Sequence, residues 1–253
     1  MEVVVYDLPA FDVTGSDHVR QAIAGATAVV NCAAYTNVDG AESNAETAFR
    51  VNAEAVGQLG GLARQAGLWV LHISTDFVFD GALDRPYHEQ DSPHPLSVYG
   101  RTKLEGERLL AQSGCSHCTV RIQWTFGHHG KNFVAKLLER ARSGAELKVV
   151  DDQIGSPTAT TEVAWALCSL LSSRCEGLYH FASSGYVTRF GMAEFIVKRL
   201  SLANKVVPCK TADFQSPAAR PLNSRFDCSK IMPFLDRSID PWQVPLGRFL
   251  EQL

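Results

Sequence analysis

Residues 71–103 read LHISTDFVFDGALDRPYHEQDSPHPLSVYGRTK, and the rest of the chain falls into place around them. The run Trp69-Val70-Leu71-His72-Ile73 is short, apolar and bounded by polar residues, which predicts a buried strand. Two hydroxyls, Ser74 and Thr75, stand at its carboxyl end, followed by Asp76. After a loop rich in Asp, Gly and Pro, Ser97 opens a predicted helix on which Tyr99 and Lys103 lie four residues apart and so share a face. An ammonium beside a phenol favours the phenolate and lowers its pKa. A hydroxyl within reach can hold a carbonyl oxygen while the tyrosine moves a proton. That set of groups suits carbonyl–alcohol redox chemistry with a nicotinamide cofactor. A bare YxxxK spacing also occurs on solvated helix faces, so the strand ending in Ser-Thr-Asp carries much of the weight.

Working outward, the pattern alternates. Strands are predicted at Glu2–Tyr6, 27–32, 119–122, 147–150 and 177–181. Helices are predicted at about 17–24 with Ser16 as N-cap, at 44–66, 97–112, 132–143, 161–172 and 188–200, with one more near the end of a proline-rich tail. Strands alternating with helices predict an α/β fold: a Rossmann-type, mostly parallel sheet with helices on both faces. Residues 1–123 form the expected dinucleotide-binding domain. Residues 124–253 form a small C-terminal substrate-binding lobe, from which about 160–183 return to the sheet. Ligands of such sheets bind beyond the carboxyl ends of strands, where Asp7, Ala33 to Thr36, Ser74 to Asp76 and Trp124 are expected.

Composition sets bounds. The 253 residues are 45% hydrophobic and 20% charged, with a net charge of -3. That balance points to a globular protein with no nucleic-acid or membrane partner. No apolar run reaches the length of a membrane span, and the start has no signal-peptide pattern, so a cytoplasmic protein is expected. Seven cysteines are an odd number without framework spacing, and neither the lone Cys115-Ser-His-Cys118 nor His128-His129 has metal partners close in sequence. No metal site is expected.

The ordered segments Asn31-Cys32-Ala33-Ala34-Tyr35-Thr36-Asn37-Val38-Asp39, Val51-Asn52-Ala53, Ile73 to Gly81, Val98 to Glu107, Lys131-Asn132-Phe133, Asp152 to Thr158 and Arg220 to Ser224 together resemble the dTDP-4-dehydrorhamnose reductase family of extended short-chain dehydrogenase/reductases. The resemblance implies hydride transfer from NADH or NADPH to the C4 ketone of dTDP-4-dehydro-L-rhamnose. It implies Tyr99 as proton donor, Lys103 lowering its pKa and holding the nicotinamide ribose, and Thr75 on the sugar oxygen. Asp76, Trp124, Asn132 and Arg220 become substrate contacts, Arg220 towards the diphosphate. Asp7, Asp12, Val13, Ala33, Ala34, Tyr35 and Thr36 become cofactor contacts, with Tyr99 and Lys103. No Arg or Lys follows Asp7 at Leu8 to Ala10, which tilts the cofactor towards NADH. A homodimer is compatible with the family.

Two departures stand out. Phe77 replaces the family's usual tyrosine. Near the start there is also no GxxGxxG turn, so the sheet is expected to be incomplete at the N-terminus. Truncation of the sequence is the favoured explanation; the alternatives are that residues 3–6 slide into the central slot, or that cofactor binding has been traded away. The last would make the chain a non-catalytic relative, like the regulatory β subunit of methionine adenosyltransferase. A reductase of another nucleotide-activated deoxysugar is the third reading.

Overall fold

The structure is a computed structural model that describes residues 2–253. Its centre is a four-stranded parallel sheet of β1 (Ala28–Asn31), β2 (Trp69–Thr75), β3 (His117–Ile122) and β8 (Gly177–Phe181), in the order β1-β2-β3-β8. In β2 the pleat sends alternate residues to opposite faces. Val70 packs with α1 (Ser16–Ile23), α4 (Ala55–Ala66) and Leu110 of α5 (Val98–Ser113). Trp69 and Leu71 pack on the other face, with Val163, Ala166, Leu167 and Leu170 of α7 (Thr160–Ser173). Burial on both faces explains why β2 reads as an unbroken apolar run rather than an alternation.

Between β1 and α4 lie α2 (Val38–Ser43) and α3 (Ala45–Phe49), joined to α4 by a π-helical turn at Arg50–Glu54. The sequence predicts one helix across 44–66; the structure widens it by that turn. The cause is tertiary. A Cβ on Gly106 of α5 would stand 2.1 Å from the carbonyl oxygen of Asn52, so only glycine lets the two backbones meet there. The turn aims the fully buried Asn52 amide at the loop after β1.

A second core forms around α6 (Phe133–Ala141), β5 (Leu147–Val150), α8 (Arg189–Arg199) and α9 (Gln243–Leu250), with Leu147, Met192, Ile196 and Leu246 fully buried. β10 (Val206–Cys209) pairs with β5. Two short ladders brace this half: β4 (Thr125–Phe126) pairs with β7 (Thr158–Ala159), and β6 (Ile154–Gly155) with β9 (Val187–Thr188). No helix among the described residues is long and apolar enough to cross a membrane.

The N-terminal expectations need correction. Residues 3–6 form no strand, and they do not enter the sheet: β1 is hydrogen-bonded to β2 alone. Val3, Val4 and Val5 are 67%, 65% and 83% exposed. β-Propensity cannot make a strand without a neighbour to complete its ladder. Ser16 is the first residue of α1 rather than its cap, and Gly15 occupies the cap position without a side-chain bond.

Candidate active site

β2 delivers its last residues into a polar pocket. Thr75 and Asp76 are both buried. The Thr75 hydroxyl accepts from the Phe77 amide at 3.2 Å and donates to the Asp76 carboxylate at 3.2 Å. Ser224, from the proline-rich tail, donates to the other Asp76 oxygen at 2.5 Å. Burial raises the Asp76 pKa to about 6, against the pull of Ser224, Arg189 and Thr75.

α5 starts beside this point because Ser97 caps it, its hydroxyl accepting from the Gly100 amide at 3.1 Å. Tyr99 therefore faces Thr75 and Asp76. Burial pushes the phenol up to about 12; the Thr75 hydroxyl pulls it down and the Asp76 charge pushes it further up. Phe77 stands edge-on to Tyr99, with ring centroids 5.5 Å apart, so the pocket wall there is apolar.

One turn on, Lys103 is buried, and burial brings its pKa down to about 8. Its Nζ donates to the Ile73 carbonyl at 2.6 Å and lies 3.5 Å from Nε2 of His72, whose Nδ1 meets the Asn31 amide at 3.2 Å. The sequence places Tyr99 and Lys103 on one face, and they share it. The expected electrostatic help is not what this geometry gives: Lys103 has turned to a backbone carbonyl beneath the site, and burial dominates the phenol. A buried ammonium with no free carboxylate beside it takes the nearest acceptor. The closest acid along the helix, Glu107, is already committed to Arg121 at 2.6 Å and Ser74 at 2.5 Å.

At the end of β1, the loop Cys32–Thr36 is pinned from below. Ala33 N donates to Asn31 Oδ1 at 3.1 Å, and Tyr35 N donates to Asn52 Oδ1 at 2.8 Å. Asn52 Nδ2 donates in turn to Tyr35 O at 3.2 Å and Thr102 Oγ1 at 3.0 Å. Ala33 and Thr36 stay exposed, and Ala34 and Tyr35 partly so, which leaves this strand end open to a ligand.

Trp124 follows β3 with φ 46°, in the left-handed region that a bulky residue rarely adopts. Its ring is held on two sides. A Cβ on Gly155 would lie 2.6 Å from the indole, so glycine is required there. The Arg189 guanidinium covers the ring 3.6 Å from its centroid.

Other expected contacts are engaged elsewhere. The Asn132 amide caps α6, accepting from Ala135 N at 3.0 Å and donating to Gly127 O at 3.0 Å. Arg220 grips both oxygens of Asp39, at 3.0 and 2.9 Å. Asp7 accepts from its neighbour Leu8 N at 2.8 Å, and Asp12 from Thr14 N and its hydroxyl at 2.9 and 2.8 Å. These two carboxylates, and Val13 directly after Asp12, sit in local turns, because residues 3–6 do not form the strand that would position them. Sequence reasoning passed over Arg189, His72 and the role of Ser224. One signal was available: Arg189 directly follows Thr188, an N-cap residue type, and so puts a cation where helices favour acids.

Comparison with known proteins agrees with this arrangement. The RmlD substrate binding domain family matches residues 1–253. The dTDP-4-dehydrorhamnose reductase of Sinorhizobium fredii is 35% identical over 263 residues, spanning 99% of this chain and 89% of that protein. The solved dTDP-4-dehydrorhamnose reductase of Clostridium acetobutylicum superposes with a TM-score of 0.94 at 32% identity, over 99% of this chain and 90% of that one. The Bacillus anthracis reductase, solved in complex with NADP, gives 0.93 at 30% identity, over 98% of this chain and 89% of that one. The likeness runs through both cores and the polar pocket between them, and the chain belongs to the dTDP-4-dehydrorhamnose reductase family.

Proposed function

We propose that this chain reduces the C4 ketone of dTDP-4-dehydro-L-rhamnose to the alcohol of dTDP-L-rhamnose, using NAD(P)H. The observation that carries the reading is the convergence of Thr75, Asp76 and Tyr99 at the carboxyl end of β2, with Lys103 one helical turn away. A bound reduced nicotinamide would supply the hydride to C4. Tyr99 gives its proton to the oxygen that becomes the alcohol, and the Thr75 hydroxyl turns its one proton from Asp76 to the same oxygen as charge grows on it. A phenol held near 12 is fully protonated at neutral pH and ready to donate. Asp76 fixes a sugar hydroxyl, and the Trp124 ring lines the apolar side of the pyranose with its edge.

The residues at the nicotinamide end fit a cofactor. Lys103 donates to a single carbonyl and a weakly placed ring nitrogen, so part of its three-donor capacity remains for ribose hydroxyls. The loop Ala33 to Thr36 is open at the end of β1. For the adenosine end, Asp7, Asp12 and Val13 remain proposed contacts that require residues 3–13 to rearrange. NADH remains the proposed preferred donor, resting on the absence of Lys or Arg at Leu8 to Ala10. A lower Michaelis constant for NADPH reverses that order. Seven free thiols suit a cytoplasmic setting.

The test is turnover of the dTDP-ketosugar with NADH and NADPH, followed by loss of reduced-nicotinamide absorbance. Well-folded protein that consumes neither donor at saturating sugar nucleotide refutes the reading.

A further inference from the structure

Two guanidinium groups face the pocket between the sheet and the second core, and only one is occupied. Arg220 is bound bidentately to Asp39 and also donates to Ser216 and to the Ala218 carbonyl at 2.9 Å. Arg189 is different. Among the described residues its guanidinium makes no ion pair and no hydrogen bond; it lies flat on Trp124 at 3.6 Å, with Phe133 at 4.9 Å. Asp76 is the acid it senses, yet the Asp76 carboxylate accepts from Thr75 and Ser224 and makes no ion pair with it. Enough protein surrounds Arg189 that burial draws its pKa down to about 9, so it is charged at neutral pH and poorly compensated.

Its position on the helix adds to the strain. Arg189 is the first residue of α8, just after Thr188, whose hydroxyl accepts from the Gly191 amide at 3.0 Å. A cation at a helix N-terminus opposes the macrodipole. An arriving anion relieves both features at once, because the guanidinium fork gains its missing partner and the start of the helix gains a negative neighbour.

The order of neighbours says which anion. Ser224, bound to Asp76 at 2.5 Å, donates its amide to Ile154 O at 2.8 Å; the next residue, Gly155, packs on the Trp124 ring, and Arg189 covers that ring at 3.6 Å. The pocket therefore runs from the proton donor, past the sugar-binding acid, to the free guanidinium. In a pyranose, C4 and the anomeric carbon lie at opposite ends of the ring. With C4 at Tyr99, the anomeric oxygen and its diphosphate point along this line towards Arg189.

We propose that Arg189, rather than Arg220, is the residue that binds the diphosphate of the nucleotide sugar, and that it selects nucleoside diphosphate sugars over uncharged sugar conjugates. The proposal deepens the nucleotide-sugar reading above and rests on it. Trp124 serves as a shelf that keeps the guanidinium flat and raised until the phosphates engage it.

The test is titration calorimetry of the full chain with dTDP and, separately, with thymidine. Wild-type protein binds dTDP, and raising the salt concentration weakens dTDP binding but not thymidine binding. Arg189→Gln weakens dTDP by about tenfold or more, the loss of one charge-assisted bidentate contact, while thymidine affinity stays within about twofold of wild type on the same scale. Arg189→Lys recovers part of the loss. In turnover assays the Arg189→Gln defect appears in KM for the sugar nucleotide more than in kcat, as for uniform binding. Equal dTDP affinity in wild type and Arg189→Gln overturns the proposal, as does a wild type that fails to bind dTDP. Should Arg189→Gln melt at a lower temperature than Arg189→Lys, the salt dependence of the wild type decides. Wild-type protein that binds dTDP through Arg189 but reduces no ketosugar overturns the reductase reading and leaves this one standing.

Discussion

Asp76 carries opposite demands in one side chain. Its carboxylate is buried, and its pKa stands at about 6 rather than 3.8. The unfolded chain ionises this group first. Its contribution to stability is therefore full below about pH 4 and is lost as the pH rises through 6. The difference corresponds to about 3 kcal/mol between the two ends of that window. Asp76→Asn is neutral throughout, so it should stabilise the protein at pH 8 and have little effect at pH 4. Thermal melts across that range check the sign; a stability gap that does not widen with pH rules it out. The same variant should bind sugar more weakly, a trade of activity against stability. Tyr99→Phe separates chemistry from binding. It keeps the ring that packs on Phe77 and removes the proton, so kcat should fall by about 10²–10⁴ while KM for the sugar nucleotide changes by less than about threefold. A kcat loss below about tenfold would point to another proton donor.

At the scale of elements, the π-helical turn before α4 is the device that links cofactor loop to catalytic helix. Asn52 reaches from it to Tyr35 on one side and to Thr102, next to Lys103, on the other. Asn52→Ala leaves several of these buried groups without partners and should cost about 2–3 kcal/mol. Its KM for NAD(P)H should rise more than its KM for the sugar, because the loop at Ala33 to Thr36 loosens. Urea titration and steady-state kinetics measure the two effects, and an equal rise in both KM values would place the role elsewhere. This element also shows what could be read in advance. β2 and α7 were legible from their local apolar patterns, and α5 from its pattern and its Ser97 cap. The turn at Arg50–Glu54 was not, since its cause is the approach of Gly106 from a helix more than fifty residues later. Residues 3–6 failed in the opposite way: they have the composition of a strand, and a strand is a relation between two segments. In the site, Thr75, Tyr99 and Lys103 could be grouped from spacing and resemblance. The turning of Lys103 to Ile73 could not, nor could Ser224 reaching Asp76 across 148 residues of sequence.

At the scale of the molecule, the pocket lies between two separate hydrophobic cores. Thr75, Asp76 and Tyr99 come from the sheet half; Trp124, Gly155 and Arg189 lie beyond residue 123, against the second core. A ligand touching both sets is a clamp between halves that are also tied by Ser224 on Asp76 and Arg220 on Asp39. Saturating dTDP at a hundred times its dissociation constant should add about 2.7 kcal/mol and move one cooperative transition upward. Differential scanning calorimetry with and without dTDP checks this. Two transitions, of which only one moves, would show that the nucleotide engages a single half.

The left-handed backbone at Trp124 reverses an everyday expectation about mutational tolerance. Glycine usually ranks below alanine as a replacement for a large side chain, because it frees the unfolded chain. At φ 46° alanine would inherit the twist that tryptophan now endures, whereas glycine adopts it at no steric cost. In a deep mutational scan scored for abundance, glycine should outrank alanine at position 124, and both should score poorly for rhamnose synthesis.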